Sequence, residues 1–356
     1  MKLSVIIANY NYADFVGAAI SSALAVEWPE KEVIVVDDAS TDDSRTIIER
    51  FRGSVAAYFR PKSHQLGAHM FGFERSNGDV VIFLDSDDLL EPAVMQEVAK
   101  VWRPGVSKVQ YRMQMIDATG KQLGSAIPQF PPKEDPQKLR QTFLRTMAYT
   151  TPPGSGNAYS RDFARYAFEM SPSTMWASDD PLLTLAPILG DVLTIRRPLA
   201  RYRVHAKNGT SASDQMEKIR RRLYQDIEKA DLFSIVSRQF GLLVPHDPLH
   251  YSLHHLQYRF ASYLVEPSAH PFPEDTKSNL VFRLMSSLAK SSQIRLRDKG
   301  ILLVWVIACA LTAQHMRRNL VEWRFAPMSR PRVINTLLGA LSSLRATRLP
   351  DRRETA

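Results

Sequence analysis

The stretch VVIFLDSDDLLEP, residues 80–92, is an apolar run that ends in four carboxylates. Asp85, Asp87, Asp88 and Glu91 lie within seven residues, where they repel one another unless something positive binds between them. At the end of an extended strand, residues i and i+2 project to the same side, so Asp85 and Asp87 share a face and Asp88 is expected to turn away. Two hard oxygen ligands suit Mg²⁺ or Mn²⁺, with phosphate oxygens and water in the remaining positions. An acidic turn in which Asp87 or Asp88 caps the next helix fits the same residues.

The elements around this stretch alternate between strand and helix. Two short β-branched runs, LSVIIANY and KEVIVVDD, flank ADFVGAAISSALAV, which repeats apolar residues at helical spacing. The alternation continues to VVIFLD and predicts an α/β fold, a mostly parallel sheet flanked by helices. Ligands of such sheets bind beyond the carboxyl ends of the strands. Asp37, Asp38 and the residues 85–88 fall at these ends.

The pattern beyond residue 92 is more irregular. It predicts a helix in EPAVMQEVAKVW, a strand in VSKVQYRMQMID, a loop in IPQFPPKEDPQ and a turn-rich segment in PPGSGNAYSR. DVLTIRRPLARYRVH is predicted to be a pair of strands, and AKNGTSASD a loop. This first architecture is expected to end near residue 215, where long helical patterns replace the strands.

The charge of the chain is unevenly distributed. From residue 290 onward there are 13 Lys/Arg against 4 Asp/Glu; of the 46 and 37 in the whole chain, this leaves 33 of each for residues 1–289. Such a basic tail suggests an anionic surface nearby, either nucleic acid or a membrane. Within it, residues 301–313 form an apolar run too short to span a bilayer, which needs about 20 residues. A buried core helix and an interfacial segment both fit this run.

Composition excludes several classes of protein. The single cysteine, Cys309, rules out an internal disulfide framework and a zinc site with several thiolates, and it fits a reducing compartment. The start of the chain has no signal-peptide pattern, so a cytoplasmic location is expected. There is no GxGxxG and no P-loop, which argues against Rossmann dehydrogenases and P-loop ATPases.

Three segments, in their order and spacing, resemble the family 2 glycosyltransferases. They are SVIIANYNYADFVGAAISSAL, EVIVVDDASTDDS and HQLGAHMFGFERSNGDVVIFLDSDDLLEP. The resemblance covers about residues 1–215 and implies the nucleotide-diphospho-sugar transferase fold called GT-A. Residues 216–356 would form a basic, mainly helical C-terminal region, associated with a membrane or packed as a core. Ala8 departs from the family, which usually has proline at this position.

The resemblance assigns the nucleotide to the ends of the first two strands. It implies that the base and ribose contact three residues there, Tyr10, Asn11 and Asp38. HQLG resembles a turn of the family in which Gly67 lets the backbone approach the nucleotide, with Gln65 beside it. A packing role for Tyr10 and a surface loop at Gln65 are the alternatives.

The resemblance also divides the roles of the aspartates in residues 80–92. It places Asp85 near the ribose and the metal and Asp87 on the metal, an Mg²⁺ or Mn²⁺ ion, with Asp88 ordering the turn. The segment PLARYRVHAKNGTS adds His205 as a ligand of the metal or contact of the diphosphate, and Arg203 as a cationic fork to phosphate. A strand-end histidine and a surface arginine fit that segment equally.

The catalytic base is expected in MWASDDPLLTLAPI. This segment resembles the family's base site, with Asp179 standing where Glu is common and contacting the substrate. Asp180 is expected to take the proton of the acceptor hydroxyl on the opposite face of the sugar, because a single in-line displacement inverts the anomeric carbon. From local sequence alone, the pair equally fits the N-cap of a helix beginning at Pro181.

The implied function is therefore an inverting glycosyltransferase of bacterial cell-surface polysaccharide or glycolipid synthesis. Its partners would be a nucleotide-sugar donor, expected to be UDP-linked, and a glycan or lipid-linked acceptor. The alternatives are a sugar-phosphate nucleotidyltransferase of related fold and a non-catalytic, membrane-associated scaffold. The arginines of the tail alternate with Leu, Val and Trp, which suits the inner face of the cytoplasmic membrane better than nucleic acid.

Overall fold

The computed structural model describes residues 1–131, 135–172, 174, 175, 177, 179–205, 215–290, 296–325 and 331. These residues form two compact units. The first unit holds the described residues of Met1–Ser211 and Tyr224–Ser252, and the second unit holds the remaining described residues. The domain boundary near residue 215 stays a prediction; a single helix begins at this residue, and its larger part, from Tyr224 onward, belongs to the first unit.

A sheet of eight strands forms the centre of the first unit. Its strands are β1 (Leu3–Asn9), β2 (Lys31–Asp38), β3 (Ala56–Arg60), β4 (Val80–Asp85), β5 (Leu89–Leu90), β6 (Val106–Asp117), β7 (Asn157–Ser160) and β8 (Asp191–Val204). They are ordered β3-β2-β1-β4-β7-β6-β8-β5. β7 runs antiparallel to β4 and β6, and β5 antiparallel to β8; the other pairings are parallel. The predicted α/β fold with a mostly parallel sheet is confirmed.

Helices cover both faces of this sheet. They are α1 (Ala13–Leu24), α2 (Ser44–Glu49), α3 (His64–Glu74), α4 (Val94–Val101), α5 (Pro136–Thr146), α6 (Arg161–Glu169), α7 (Asp179–Leu189) and α8 (Gln215–Gln239). Because side chains alternate along a strand, Val5 and Ile7 of β1 pack into one core with α1, and Ile6 packs into a second core with α3 and α6. Burial on both faces explains why β1 and β4 read as continuous apolar runs.

Two elements differ from the sequence prediction. DVLTIRRPLARYRVH is one long strand, β8, because its partner β6 runs beside it along its whole length and Pro198 falls at an irregularity of the pairing. The turn-rich segment is a 3₁₀ turn, Gly154–Gly156, followed by β7, which inserts between β4 and β6. Four residues of strand are too short for a periodic signal.

The second unit is helical among its described residues. After the start of α8 it contains α9 (Leu253–Val265), α10 (Lys277–Lys290), α11 (Leu296–Leu311) and α12 (Gln314–Phe325). The apolar run at 301–313 lies in α11, which buries Leu302, Trp305 and Cys309 and leaves other apolar side chains exposed. Among the described helices, none combines the length and the apolar character needed to cross a bilayer.

A buried polar network ties the second unit together. Arg259 of α9 donates to Asp275, and His270 Nε2 lies 2.9 Å from the same carboxylate oxygen. His270 Nδ1 lies 3.1 Å from Ser262 Oγ. These are the residue types of a hydrolytic triad, but Ser262 and Asp275 are buried, which leaves the hydroxyl no access to a substrate. The network is therefore structural.

Asp275→Asn is expected to destabilise the second unit by about 3–5 kcal/mol, because it leaves the buried charge of Arg259 without its buried partner and with only the exposed Glu274 as an ionic contact. Burial by itself raises the pKa of Asp275, but the bonds from His270 and Arg259 outweigh it and hold the pKa below its ordinary value. The stabilisation is thus present above the ordinary carboxyl pKa and is lost as the pH falls through the lowered value. Urea titrations followed by tryptophan fluorescence should show the wild type and the variant converging at acid pH.

Glu274→Gln is the matched control, since Glu274 pairs with the same arginine from an exposed position. It should cost less than about 1 kcal/mol. Equal losses of unfolding free energy in Asp275→Asn and Glu274→Gln would contradict the assignment of Asp275 as the main partner of Arg259.

Candidate active site

Most of the predicted site residues lie along one edge of the sheet. The carboxyl ends of β1, β2 and β4 meet there, with Ala8 beside Asp85 and Asn9 beside Asp37. Asp37 accepts hydrogen bonds from the side chains of Asn9 (2.8 Å) and Ser40 (2.6 Å), which hold the loops after β1 and β2 together. This edge therefore has a fixed backbone on which the polar side chains are arranged.

Asp85, Asp87 and Asp88 form the carboxylate cluster at the end of β4. One oxygen of each lies within 4.8 Å of the others. The Asp85 backbone N–H donates to Ser155 Oγ (3.0 Å), and Asp88 Oδ1 accepts from the backbone N–H of Arg203 in β8 (2.9 Å). The expectation that Asp88 turns away is wrong, because this bond to β8 holds its carboxylate beside the other two. The next helix is not capped by either aspartate, since its N-cap residue lies further on, beyond Glu91.

Burial and mutual repulsion both act on the carboxylate cluster. Burial, followed by the charges of Asp179, Asp88 and Asp87, raises the pKa of Asp85 well above its ordinary value. Burial and the charge of Asp87 raise the pKa of Asp88 to about 8. Asp88 Oδ2 is buried and has no hydrogen-bond partner among the described residues. A positive charge bound between these oxygens would relieve the repulsion and provide the missing partner.

The carboxylate cluster fits a divalent cation of the hard type. It offers three carboxylates, and oxygen ligands are those that Mg²⁺ and Mn²⁺ prefer. Both predicted aspartate ligands, Asp85 and Asp87, belong to it. His205 stands beside it, with Nε2 at 2.9 Å from Asp87 Oδ2. The part of His205 as a ligand stays a prediction.

Aromatic rings surround His205. The ring of Phe15 lies 4.5 Å from its centroid, and that of Tyr12 stands edge-on at 5.7 Å. Burial, then the charges of Asp87 and Asp85, raises the pKa of Tyr12 to about 12. Sequence analysis missed Tyr12 although it lies inside SVIIANYNYADFVGAAISSAL, because only the fold brings its side chain close to the carboxylate cluster.

Tyr202 was missed as well. Burial and the charges of the carboxylate cluster raise its pKa to about 12, so its hydroxyl stays protonated beside the cluster. The local pattern of β8 gave no signal for it.

Arg203 was expected to offer its guanidinium to phosphate, and in the structure this group contacts backbone oxygens. Its guanidinium donates to the backbone oxygens of Asp87 (2.8 Å), Asp117 (3.2 Å) and Ala118 (3.0 Å), and the residue is buried. These bonds clamp the turn after β4 to the end of β6. The proposed contact of Arg203 with phosphate stays a prediction.

The predicted nucleotide residues lie at the ends of β1 and β2. Asp38 is buried and accepts from the backbone N–H (2.7 Å) and the hydroxyl (2.6 Å) of Ser63. Lys62 pairs with Asp38 at 3.5 Å, and its ammonium lies over the exposed ring of Tyr10. Asn11 has a left-handed backbone (φ 56°), and its side-chain oxygen accepts from the backbone N–H of Thr41 (2.7 Å).

HQLG is the first turn of α3 rather than a separate turn. Gln65 Nε2 donates to Asp85 Oδ1 at 2.8 Å, which brings this predicted residue onto the carboxylate cluster. Gly67 faces Ser63 so closely that an added Cβ would lie 2.8 Å from the serine Cβ. Its carbonyl accepts from Arg60 (2.8 Å). Glycine therefore lets the loop that carries Lys62 and Ser63 pack against α3.

Asp179 and Asp180 occupy the first turn of α7, which begins at Asp179 rather than at Pro181. Asp179 accepts from the backbone N–H of Gly154, and a Cβ on this glycine would come within 2.6 Å of Asp179 Oδ1. Burial and the charge of Asp180 raise the pKa of Asp179 to about 6. The charge of Asp179 in turn helps to raise the pKa of Asp85 in the carboxylate cluster.

Two lysines offset this negative charge, and sequence analysis missed both. Lys229 of α8 pairs with Asp180, with Nζ 2.5 Å from Oδ1. Lys108 of β6 is buried and donates to the hydroxyls of Tyr149 and Thr151, each at 2.9 Å. The charges of both lysines lower the pKa of Asp179. Neither belongs to a motif, so only the packing of the helices on the sheet reveals them.

Comparison with known proteins identifies a family. The family model described as Glycosyl transferase family 2 matches residues 4–165. An uncharacterized glycosyltransferase of Nostoc sp., alr2836, is 35% identical over 229 residues, which cover 61% of this chain and 70% of that protein. The glucosyltransferase WfaP of Escherichia coli, named as acting on UDP-Glc and GlcNAc-diphosphoundecaprenol, is 35% identical over 88 residues (24% of this chain, 35% of WfaP).

The poly(ribitol-phosphate) β-N-acetylglucosaminyltransferase TarS of Staphylococcus aureus is similar in sequence and in fold. It is 31% identical over 109 residues, 28% of this chain and 18% of TarS. The crystal structure of TarS residues 1–349 with UDP-GlcNAc matches with a TM-score of 0.53 at 16% identity over 91% of both chains, which shows a common fold. The chain is a glycosyltransferase and belongs to glycosyl transferase family 2.

Proposed function

We propose that this protein is an inverting glycosyltransferase that moves a sugar from a UDP-linked donor to an acceptor hydroxyl. The observation that carries the proposal is that one compact unit holds the carboxylate cluster at the end of β4 together with the acidic pair of α7. Relatives named for polymer or lipid-linked acceptors support a role in cell-surface polysaccharide or glycolipid synthesis.

The donor is proposed to bind along the edge formed by β1, β2 and β4. Asp38 would accept from the base and Tyr10 would stack on it, which requires that Lys62 and Ser63 give up part of their contacts with Asp38. Asp85 and Asp87 would hold Mg²⁺ or Mn²⁺; when bound, this ion neutralises the charge of the diphosphate as it leaves. Gln65 keeps the carboxylate of Asp85 oriented.

Asp180 is proposed to take the proton of the acceptor hydroxyl. The acceptor oxygen bonds to the anomeric carbon from the face opposite the diphosphate, so one displacement inverts the configuration. Asp179 interacts electrostatically with both Asp180 and Asp85, and it is proposed to contact the sugar. Asp180 lies in the first turn of α7, and α7 is held by its buried side chains in a hydrophobic core. This packing fixes the position of Asp180 for the proton transfer.

The proposal is tested by incubating the protein with UDP-sugars and Mn²⁺ in the presence of candidate lipid-linked acceptors. UDP release with a product of inverted anomeric configuration, read by NMR, is expected. A product of retained configuration would exclude the inverting mechanism. Formation of pyrophosphate from a sugar phosphate and a nucleoside triphosphate would instead identify a nucleotidyltransferase.

We also propose that α11 binds the anionic inner face of the cytoplasmic membrane. Val304, Ile307 and Leu311 lie on one side of the helix at spacings of three and four residues and are 67%, 48% and 82% exposed. Lys299 of α11 precedes this face in the sequence, and Arg318, which belongs to α12 and pairs with Glu322, follows it. Apolar side chains between cations are the arrangement by which a helix lies in a charged lipid surface. The reducing environment of the cytoplasm agrees with the one cysteine of the chain, Cys309, which is a free thiol. Burial raises the pKa of this thiol to about 12.

Changing the three exposed residues of α11 together to serine should weaken binding to vesicles containing phosphatidylglycerol by on the order of 10-fold or more. Sedimentation with these vesicles and with phosphatidylcholine alone measures the effect, and high salt should weaken wild-type binding. Leu243→Ser, at a 97% exposed apolar position of the first unit, is the control and should bind as the wild type does. Unchanged binding of the triple variant would refute the membrane assignment, and so would a wild-type protein that is dimeric where the triple variant is monomeric, because the apolar face would then be a dimer contact.

A further inference from the structure

Lys229 reaches the acidic pair from a helix outside the segment that the family model matches. Its Nζ lies 2.5 Å from Asp180 Oδ1, and the two side chains are 14% and 12% exposed. Leu232 and Phe233, on the next turn of α8, pack into the core that contains Leu182 and Leu185 of α7. The two helices are therefore fixed against each other, and the ion pair joins them at the point where α7 begins.

The contact involves one oxygen of the carboxylate. Lys229 binds Oδ1, while Oδ2 of Asp180 has no hydrogen-bond partner in the described part of the chain and is not counted among its buried unsatisfied atoms. A carboxylate that is held by one of its oxygens cannot rotate freely about the bond to Cβ. The orientation of its second oxygen is therefore fixed as well. That geometry suits a group that must meet an incoming hydroxyl.

We propose that Lys229 is a positioning residue for the base, and this inference rests on the proposed function. Lys229 holds Oδ1 and directs Oδ2 of Asp180 toward the acceptor. In the step, the acceptor O–H proton passes to Oδ2 as the acceptor oxygen bonds to the anomeric carbon. The bond from that carbon to the diphosphate oxygen breaks, and its electron pair leaves with the diphosphate. Lys229 keeps its own proton throughout.

The positive charge of Lys229 offsets the repulsion between two adjacent, mostly buried carboxylates, and its contact with Oδ1 holds one of them in place. Misplacement of a catalytic group by about 1 Å costs on the order of 100-fold in rate. Loss of Lys229 should therefore slow the reaction rather than accelerate it.

The test compares Lys229→Met with Lys229→Arg, with turnover measured as UDP release from UDP-GlcNAc and Mn²⁺, water serving as the acceptor. Lys229→Met is expected to lower kcat on the order of 10- to 100-fold while KM for the donor stays unchanged. Lys229→Arg keeps the cation and should recover most of kcat. Arg238→Met, which removes an exposed cation from the same helix, should leave both constants unchanged.

A double variant separates positioning from general damage. In the Asp180→Asn background there is no base to position, so adding Lys229→Met should produce no further loss of kcat. A further loss in that background, a parallel rise in KM, or wild-type kcat in Lys229→Met would overturn the inference. No UDP release by the wild-type protein with any UDP-sugar would overturn the proposed function itself, and the inference with it.

Discussion

Asp180→Asn is expected to lower kcat for sugar transfer by about 100- to 10,000-fold, the range that a positioned general base contributes. The amide has nearly the shape of the carboxylate but cannot accept the proton of the acceptor hydroxyl. UDP-sugar binding should persist, because the proposed nucleotide contacts are at the ends of β1 and β2, whereas Asp180 belongs to α7 and pairs with Lys229. Steady-state UDP release measures the loss, and calorimetric titration with UDP measures the retained binding.

The matched control is Asp162→Asn. Asp162 is an exposed aspartate in the first turn of α6, as Asp180 is in the first turn of α7, so it reproduces any effect on helix stability. Asp180→Asn should also melt at a lower temperature than the wild type, because Lys229 keeps its charge in mostly buried surroundings. Rates must therefore be compared at a temperature below the melting temperatures of both Asp180→Asn and the wild type. Full activity in Asp180→Asn with loss in Asp179→Asn would move the base to Asp179.

Asp87→Asn is expected to abolish the rise in melting temperature that Mn²⁺ with UDP produces, and to lower kcat/KM by at least about 100-fold. The carboxylate cluster loses one of its three charged oxygen donors. In the absence of metal the variant should be at least as stable as the wild type, because the charge of Asp87 is one cause of the raised pKa values of Asp85 and Asp88. Stability in the absence of metal and loss of the metal effect together distinguish a lost ligand from a misfolded protein.

Asp79→Asn provides the control for Asp87→Asn. Asp79 immediately precedes β4, at the opposite end of the strand from the carboxylate cluster, and its side chain is 67% exposed. This variant should keep the full response to Mn²⁺. An Mn²⁺ response in Asp87→Asn equal to that of the wild type would show that Asp87 does not hold the metal.

The parts of the fold that could be predicted from sequence are those with local signals. β1, β2 and β4 are apolar runs buried on both faces, and the helices between them have apolar residues at helical spacing. Parallel strands place their carboxyl ends at one edge, which is why Asp38 and Asp85 could be assigned to one site before the structure was known. β7 escaped prediction because it has only four residues and is defined by pairing with β4 and β6.

The aspartates of the candidate site could be predicted because they occur at characteristic spacings in the sequence. The residues that pair with them have no such spacing. The sequence alone determined the α/β fold, the acidic residues at the strand ends and the acidic pair of α7, because these depend on short-range periodicity and on motifs. Tertiary structure alone decided which groups offset or hold those charges: Lys229 on Asp180, Lys62 on Asp38, and β8 on Asp88. Such pairs join residues far apart in the chain, and no local pattern records a contact that arises when a helix or strand packs against its neighbour.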